Sequence, residues 1–255
     1  MKTIQAELET AVLGPEYAHV VGRRPTAERV VKKVYEWYCR LLFTVYCPLK
    51  VEGRERLPRS SFIFCSNHNS HMDSVILMLT ANRGFNKFGM MAARDYFFEN
   101  PLRKYFLNLF MNLVPVERKR NDRRAMIEGL VACRDFMRTG DRSLIIYPEG
   151  TRSLTGKIGP FKKGPAMMAT ELGLPVVPAY IKGSHRAWPK GRNVIRPARV
   201  YCWVGEPIHP EKFRESAGDG GSNREGANFG VYKQVTAALE RSIRDMEKQH
   251  GGNYE

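Results

Sequence analysis

The chain is short of acidic side chains, of paired cysteines and of long apolar runs. Each shortage narrows what it can be. Twenty-six Asp and Glu stand against forty-one Lys and Arg, a formal charge of +15. A domain this basic suits a polyanionic partner: nucleic acid, an anionic membrane, an acidic protein or a phosphorylated substrate. The five cysteines (Cys39, Cys47, Cys65, Cys133, Cys202) are odd in number and scattered, with no C-x-x-C pair. That points away from a zinc ribbon and from a disulfide framework, and leaves reduced thiols in a cytosolic setting. No stretch reaches the ~18 uninterrupted apolar residues of a membrane-spanning helix. The first 25 residues lack the basic–apolar–small order of a signal peptide. The expected location is therefore cytoplasmic, and a membrane partner would be met from its surface. Zinc-finger, RNP-type and helix-turn-helix signatures are also missing, so nucleic acid is not the expected partner.

Of the 255 residues, 43% are hydrophobic, enough to build one substantial domain or two small ones. There is no internal repeat. Residues 1–25 are polar and interrupted by Gly and Pro, which reads as a loosely packed arm. From Ala27 to about Tyr46 the pattern is helical. Val30, Val34, Trp37, Leu41 and Val45 recur at three- and four-residue steps, with Val31, Tyr38 and Leu42 widening the stripe. Lys32, Lys33, Glu36 and Arg40 take the other side. The stripe either packs on the domain core or lies in a membrane interface, with Trp37 and Tyr38 near the headgroups.

Beyond residue 50, strand-like and helix-like segments alternate. Strands are expected at Phe62–Ser66, Phe88–Ala93, Leu113–Glu117, Ser143–Tyr147, Val176–Ile181 and Arg199–Val204. Helices are expected at Met72–Asn82, Pro101–Asn112, Asp122–Thr139, Pro165–Leu172 and Tyr232–Lys248, with a flexible loop over Ser216–Gly230. This alternation implies an α/β fold with a largely parallel sheet flanked by helices. The expected organisation is an amphipathic arm over residues 1–49, a central domain over 50–210, and a loop with a core-docked helix over 211–255.

The segment Asn67-His68-Asn69-Ser70-His71-Met72-Asp73-Ser74 sits where a buried strand gives way to a helix. Five residues along a regular helix turn through about 500°, which would point His68 and Asp73 ~140° apart. They converge only if His68 precedes the helix and Asp73 lies on its first turn. Such a pair suits a general base and the carboxylate that orients it. Ser70-x-x-Asp73 also fits a capping box, so Asp73 has a structural explanation. A metal site built on His68, His71 and Asp73 is a third reading, weakened by the absence of helical i, i+4 histidine spacing. No G-x-S-x-G occurs, and no Cys sits in a recognisable nucleophile setting. A basic His68 would therefore act on a nucleophile belonging to the substrate, such as an alcohol.

A second constellation runs Tyr147-Pro148-Glu149-Gly150-Thr151-Arg152-Ser153, then Gly156 and Phe161-Lys162-Lys163-Gly164 before a helix at Pro165. Gly-rich loops at helix starts bind anions through backbone N–H groups. Arg152, Lys162 and Lys163 add charge, and Arg suits phosphate. A Walker A loop is excluded by the Gly150–Gly156 spacing and by Ile158 after Lys157. An ordinary solvated basic loop would look the same in isolation. A third, weaker segment, Val114-Pro115-Val116-Glu117-Arg118, puts Arg118 at a strand end. The chain from Leu172 through Gly205 carries no acidic residue but has Lys182, Arg186, Lys190, Arg192, Arg196 and Arg199. It is either an anion-facing surface or a solvated basic face.

Taken in order, these blocks resemble the PlsC-like glycerolipid acyltransferases, including the 1-acylglycerol-3-phosphate acyltransferases. The matching segments are Asn67-His68-x4-Asp73, Pro115-Val116-Glu117-Arg118, Pro148-Glu149-Gly150-Thr151-Arg152-Ser153 with Phe161-x2-Gly164, and Val176-Val177-Pro178-Ala179-Tyr180-Ile181. The resemblance covers about residues 50–210. It implies that His68 deprotonates an acceptor hydroxyl while Asp73 fixes its tautomer. It also implies that Arg118, with Glu149, Gly150, Thr151, Arg152 and Lys163, holds the acceptor phosphate. The Val176–Ile181 block would help line the acyl site. The acyl donor would be acyl-CoA or acyl carrier protein as co-substrate, without cofactor or metal. The N-terminal helix would rest on an anionic membrane surface. Glu117 stands where Asp is common and Asn112 where Gly is common, which leaves the acceptor open. It could be 1-acylglycerol 3-phosphate, glycerol 3-phosphate, another lysophospholipid or a lyso-aminolipid. A non-catalytic basic binding module has only the charge in its favour.

Overall fold

The computed structural model describes residues 4–13, 22, 25–93, 110–116, 123–216 and 224–252. The chain divides into two compact units, each made of separate segments.

One unit comprises Met1–Trp37 and Gly84–Ile145. Its helices are α1 (Ile4–Thr10), the first part of α2 (Thr26–Val45) and α4 (Arg123–Arg138). Its strands are β3 (Phe88–Ala93), β4 (Asn112–Val116) and β5 (Ser143–Ile146). β3 lies between β4 and β5 and runs parallel to both, with Gly89 opposite Asn112 and Phe88 opposite Ser143. β4 and β5 bury Leu113, Val114, Leu144 and Ile145, while β3 buries Phe88 and leaves Met90 and Met91 half-buried. Helix α4 buries Ile127, Leu130, Val131 and Phe136. Gly89 permits the Phe136 ring to approach, since a Cβ there would meet ring carbons at 2.5 Å.

The arm is less loose than its composition implies. Over Ile4–Thr10 it is helical, Leu8 is buried, and Glu7 pairs with Arg123 at 3.1 Å while Arg134 donates to the Leu8 carbonyl. Two polar contacts at adjacent residues, with the burial of Leu8, seat this short segment on α4.

Helix α2 forms where its periodicity places it, but its orientation rejects core packing of the apolar stripe. Lys32 is 1% exposed and donates to Asn112 Oδ1. The Asn112 amide in turn donates to the Phe88 carbonyl at 2.8 Å. Glu36 is buried and accepts the Phe85 N–H, and Cys39 and Phe43 are buried as well. The stripe Val30, Val34, Trp37, Leu41 and Val45 faces outward, with Trp37 66% and Val45 71% exposed. Buried polar groups with partners hold the helix in this orientation.

The second unit comprises Tyr38–Arg83 and Ile146–Glu255. Its strands are β1 (Leu49–Glu52), β2 (Ile63–Ser66), β6 (Val176–Lys182) and β7 (Val200–Val204). They are ordered β1-β7-β6-β2. β1 is parallel to β7, β2 is parallel to β6, and β6 and β7 are antiparallel. Around them lie α3 (Asp73–Ala81), α5 (Gly164–Leu172), α6 (Ser184–Ala187), α7 (Pro210–Ser216) and α8 (Arg224–His250). The α/β class and the predominance of parallel pairing agree with the alternating pattern of the sequence.

Gly173 ends α5 in the left-handed region at φ +64°, the C-terminal role its position implies. Val231, Val235, Leu239 and Ile243 are buried where α8 meets α5 and β6. Ser216–Gly230 is not one long loop: α7 runs through Ser216 and α8 begins at Arg224. Glycine content reads as loop in sequence, yet helix propensity lost at one Gly is only ~1 kcal/mol and packing offsets it. The helix expected over Pro101–Asn112 falls mostly outside the described residues, and Asn112 opens a strand.

Candidate active site

β2 is a fully buried run that ends at Ser66, and α3 starts at Asp73. The six residues between them form a tight turn that leads away from the end of β2. Asn67 fixes its origin: its side chain donates to the Ile181 carbonyl at 2.9 Å and accepts the Ile181 N–H at 2.8 Å. The Val176–Ile181 block thus pins the turn to β6.

His68 and Asp73 converge as a strand–turn–helix geometry demands. His68 Nδ1 lies 2.9 Å from Asp73 Oδ2. A carboxylate only accepts, so Nδ1 carries the proton and Nε2 keeps its lone pair. Asp73 Oδ2 also accepts the N–H groups of Asn69 (2.7 Å) and Ser70 (2.8 Å). One Asp73 oxygen therefore braces the turn and faces the imidazole, while the helix itself starts at Asp73 after Met72 without a side-chain cap bond. Asp73 is 0% exposed, while the His68 side chain keeps 18% exposure. That combination suits an orienter inside and a reactive ring at the surface.

The His68 ring stacks on Tyr147, with centroids 3.6 Å apart and planes 8° from parallel. The Tyr147 hydroxyl is 2.6 Å from Ser74 Oγ. Burial, then the nearby Asp73 carboxylate, pushes the Tyr147 phenol well above its usual range, so it stays neutral. Ser70 Oγ donates to the Trp188 carbonyl at 2.7 Å, and the His71 N–H reaches the same oxygen at 3.3 Å. Asn67, Ser74 and Tyr147 lie in the segments that the sequence singles out, but without a role there, and Trp188 lies outside them. Their bonds and stacking around His68 and its turn are what mark them as positioning groups.

The second block meets the first through the main chain. Glu149 is buried, and its Oε1 accepts the His68 N–H at 2.8 Å while its Oε2 accepts the Gly159 N–H at 2.8 Å. The Ser153 N–H donates to the His68 carbonyl at 2.7 Å. Both polar groups of the His68 main chain are thus held from the Glu149–Ser153 segment. Gly150 has φ +70°, and a Cβ there would lie 2.7 Å from Lys162 Nζ, so the lysine ammonium sits over this glycine. Thr151 is exposed. Arg152 Nη1 is 2.7 Å from His71 Nε2. Partial loss of solvent, then the Arg152 guanidinium and His68, hold the His71 ring below its usual range. A neutral His71 is the form that accepts from Arg152.

Lys163 does not join this group: its ammonium lies 4.1 Å from the centre of the Phe229 ring. Lys162 takes the place beside Gly150. Glu149 is engaged by two backbone donors rather than presented to a ligand. Arg118 lies outside the described residues. His71 turns to Arg152 and Trp188, and among the described residues no three His, Cys, Asp or Glu are gathered to hold a metal ion. The five cysteines are buried and unbridged, and burial pushes the Cys133 and Cys202 thiols up to about 12. Thiols held protonated in this way are poor nucleophiles.

The site thus joins the His68–Asp73 contact to a cationic rim made by Arg152 and Lys162. The acyltransferase family model matches residues 48–182, a little over half the chain, and the chain belongs to that family. It is 32% identical over 167 residues to the chloroplastic 1-acyl-sn-glycerol-3-phosphate acyltransferase LPAT1 of Arabidopsis thaliana, covering 64% of this chain and 44% of that one. It is 30% identical over 202 residues to the 1-acyl-sn-glycerol-3-phosphate acyltransferase of Cocos nucifera, covering 79% and 58%. The chain thus spans about half the length of these curated relatives. The fold is similar to that of the 1-acyl-sn-glycerophosphate (LPA) acyltransferase PlsC from Thermotoga maritima. The TM-score is 0.62 at 23% identity, over 99% of this chain and 96% of that one.

Proposed function

We propose that the protein transfers a fatty acyl group from a thioester, acyl-CoA or acyl carrier protein, to the sn-2 hydroxyl of 1-acylglycerol 3-phosphate, giving phosphatidate. The observation that carries this reading is the His68 Nδ1–Asp73 Oδ2 contact, which leaves Nε2 as the free basic nitrogen. The names of the relatives support the acceptor. His68 Nε2 takes the hydroxyl proton as the oxygen attacks the thioester carbonyl. The tetrahedral intermediate then expels the thiolate, which receives that proton from the imidazolium. Asp73 stabilises the imidazolium formed between the two steps. Arg152 and Lys162, near Gly150, supply the positive charge for the acceptor phosphate, with Arg118 assigned to the same task by resemblance.

The protein works on lipid from the membrane surface. No helix among the described residues is long and apolar enough to cross a membrane. The outward stripe Val30, Val34, Trp37, Leu41 and Val45 of α2 fits the apolar side of a bilayer interface.

The test is product formation from oleoyl-CoA with a panel of acceptors. Phosphatidate from 1-acylglycerol 3-phosphate should far exceed diacylglycerol from unphosphorylated monoacylglycerol. Equal rates on both, or turnover only on another acceptor, would contradict the assignment.

A further inference from the structure

The segment between α6 and β7 is not absorbed by the proposed chemistry. Lys190, Arg192, Arg196 and Arg199 are all exposed, with no acidic residue among them. Val194, at the centre of the segment, is 72% exposed. Its shape is set by its own bonds: the Trp188 indole donates to the Arg192 carbonyl at 2.7 Å, and the Arg196 N–H donates to the Ala187 carbonyl at 2.9 Å. At its base, the Trp188 carbonyl receives Ser70 Oγ and the His71 N–H, and Ser70 and Pro189 form an antiparallel bridge. Further along, the Ile195 carbonyl accepts the Tyr46 hydroxyl at 3.3 Å and the Arg196 carbonyl lies 3.4 Å from Cys47 Sγ. Tyr46 directly follows α2, where Leu41 and Val45 are exposed.

We infer that loop Pro189–Arg199 is a second lipid contact, which binds anionic headgroups through its four cations and dips Val194 toward the acyl layer. Charge complementarity selects an anionic surface, since no acidic side chain in the loop offsets the cations. The exposed apolar tip and the bond to the end of the apolar stripe select a bilayer over an acidic protein. The loop is also bonded to the turn that carries His68. Docking it therefore sets that turn at the depth where lipid headgroups lie. This inference rests on the membrane-surface reading, but its test needs no turnover.

The experiment is sedimentation with vesicles of phosphatidylcholine, alone or mixed with phosphatidylglycerol. It compares the parent with a variant carrying Lys190→Gln, Arg192→Gln, Arg196→Gln and Arg199→Gln. Each basic residue near an anionic surface contributes roughly a fivefold factor to binding, so the variant should bind mixed vesicles roughly 100-fold or more weakly. Its turnover of a water-dispersed short-chain acceptor should match the parent. Binding to mixed vesicles equal to the parent overturns the inference. A raised KM for acyl-CoA or acyl carrier protein with vesicle binding intact also overturns it, and gives the loop to the donor instead. Should the fourfold variant not fold, the single change Val194→Glu is expected to weaken binding to the mixed vesicles, and unchanged binding there overturns the inference. Lipid binding that responds as expected in a protein without transferase activity would leave this inference standing and remove the proposed function.

Discussion

Glu149 Oε1 accepts the backbone N–H of His68 at 2.8 Å, so a carboxylate from one motif holds the main chain of the proposed base in another. Its second oxygen takes the Gly159 N–H, and a Cβ at Gly159 would already lie 3.1 Å from it. The predicted consequence is a split in kinetics. Glu149→Gln keeps one acceptor but turns an amide N–H toward the other donor. Displacements of about 1 Å at a reacting group cost on the order of 10²-fold. We expect kcat to fall by about 10- to 100-fold with the KM for the acceptor little changed. A raised KM at constant kcat would mean that Glu149 binds the acceptor directly.

Asp73 braces the turn, and in the proposed mechanism it also orients His68. Asp73→Asn keeps the volume and can keep an oxygen where Oδ2 sits, but it removes the charge and puts an amide in the buried Oδ1 position, which has no hydrogen-bond partner among the described residues. Turnover should drop by about 10²–10⁴-fold. A buried amide left without an acceptor costs about 1–3 kcal/mol, so the melting temperature should fall too. Full turnover in Asp73→Asn would contradict the orienting role.

The outward stripe of α2 predicts stability that is insensitive to its side chains. Trp37→Glu with Leu41→Glu should change unfolding free energy by no more than about 0.5 kcal/mol per site, as for exposed positions generally. Vesicle binding should fall strongly. A large loss of stability in denaturant would place the stripe against the protein. By contrast Lys32→Ala, which leaves buried Asn112 Oδ1 without this donor, should cost about 1–3 kcal/mol.

These contrasts show what the sequence could carry. The strand runs were legible because burial on both faces writes an uninterrupted apolar word, as in Ile63–Ser66. β1 was missed because Leu49-Lys50-Val51-Glu52 alternates apolar with charged residues over only four positions. The convergence of His68 and Asp73 followed from spacing at a strand–helix junction. The direction of the α2 stripe could not be read, since periodicity reveals an apolar face and not what covers it. The partner that turned the helix, Asn112, lies eighty residues away. The family resemblance implies that Glu149 and Lys163 help hold the acceptor phosphate. Space sends one to the His68 main chain and the other to Phe229.

The thiols give a pH prediction. Cys133 and Cys202 are raised from 9.0 to about 12 by burial. Between these values the unfolded chain has lost protons that the folded chain retains, so stability should decline as pH rises from about 9 toward 12. Below pH 9 these groups contribute no slope. Native protein at pH 8 should react slowly with a thiol reagent at these two positions, and denatured protein at once. Fast native labelling of either Cys would contradict their burial.

The most direct test of the account is release of free thiol from oleoyl-CoA in the presence of 1-acylglycerol 3-phosphate, measured for the parent and for folded His68→Ala. Loss of the base should lower turnover by about 10²–10⁴-fold with the fold intact. Thiol release by His68→Ala at the parent rate would contradict the central role of the His68–Asp73 pair.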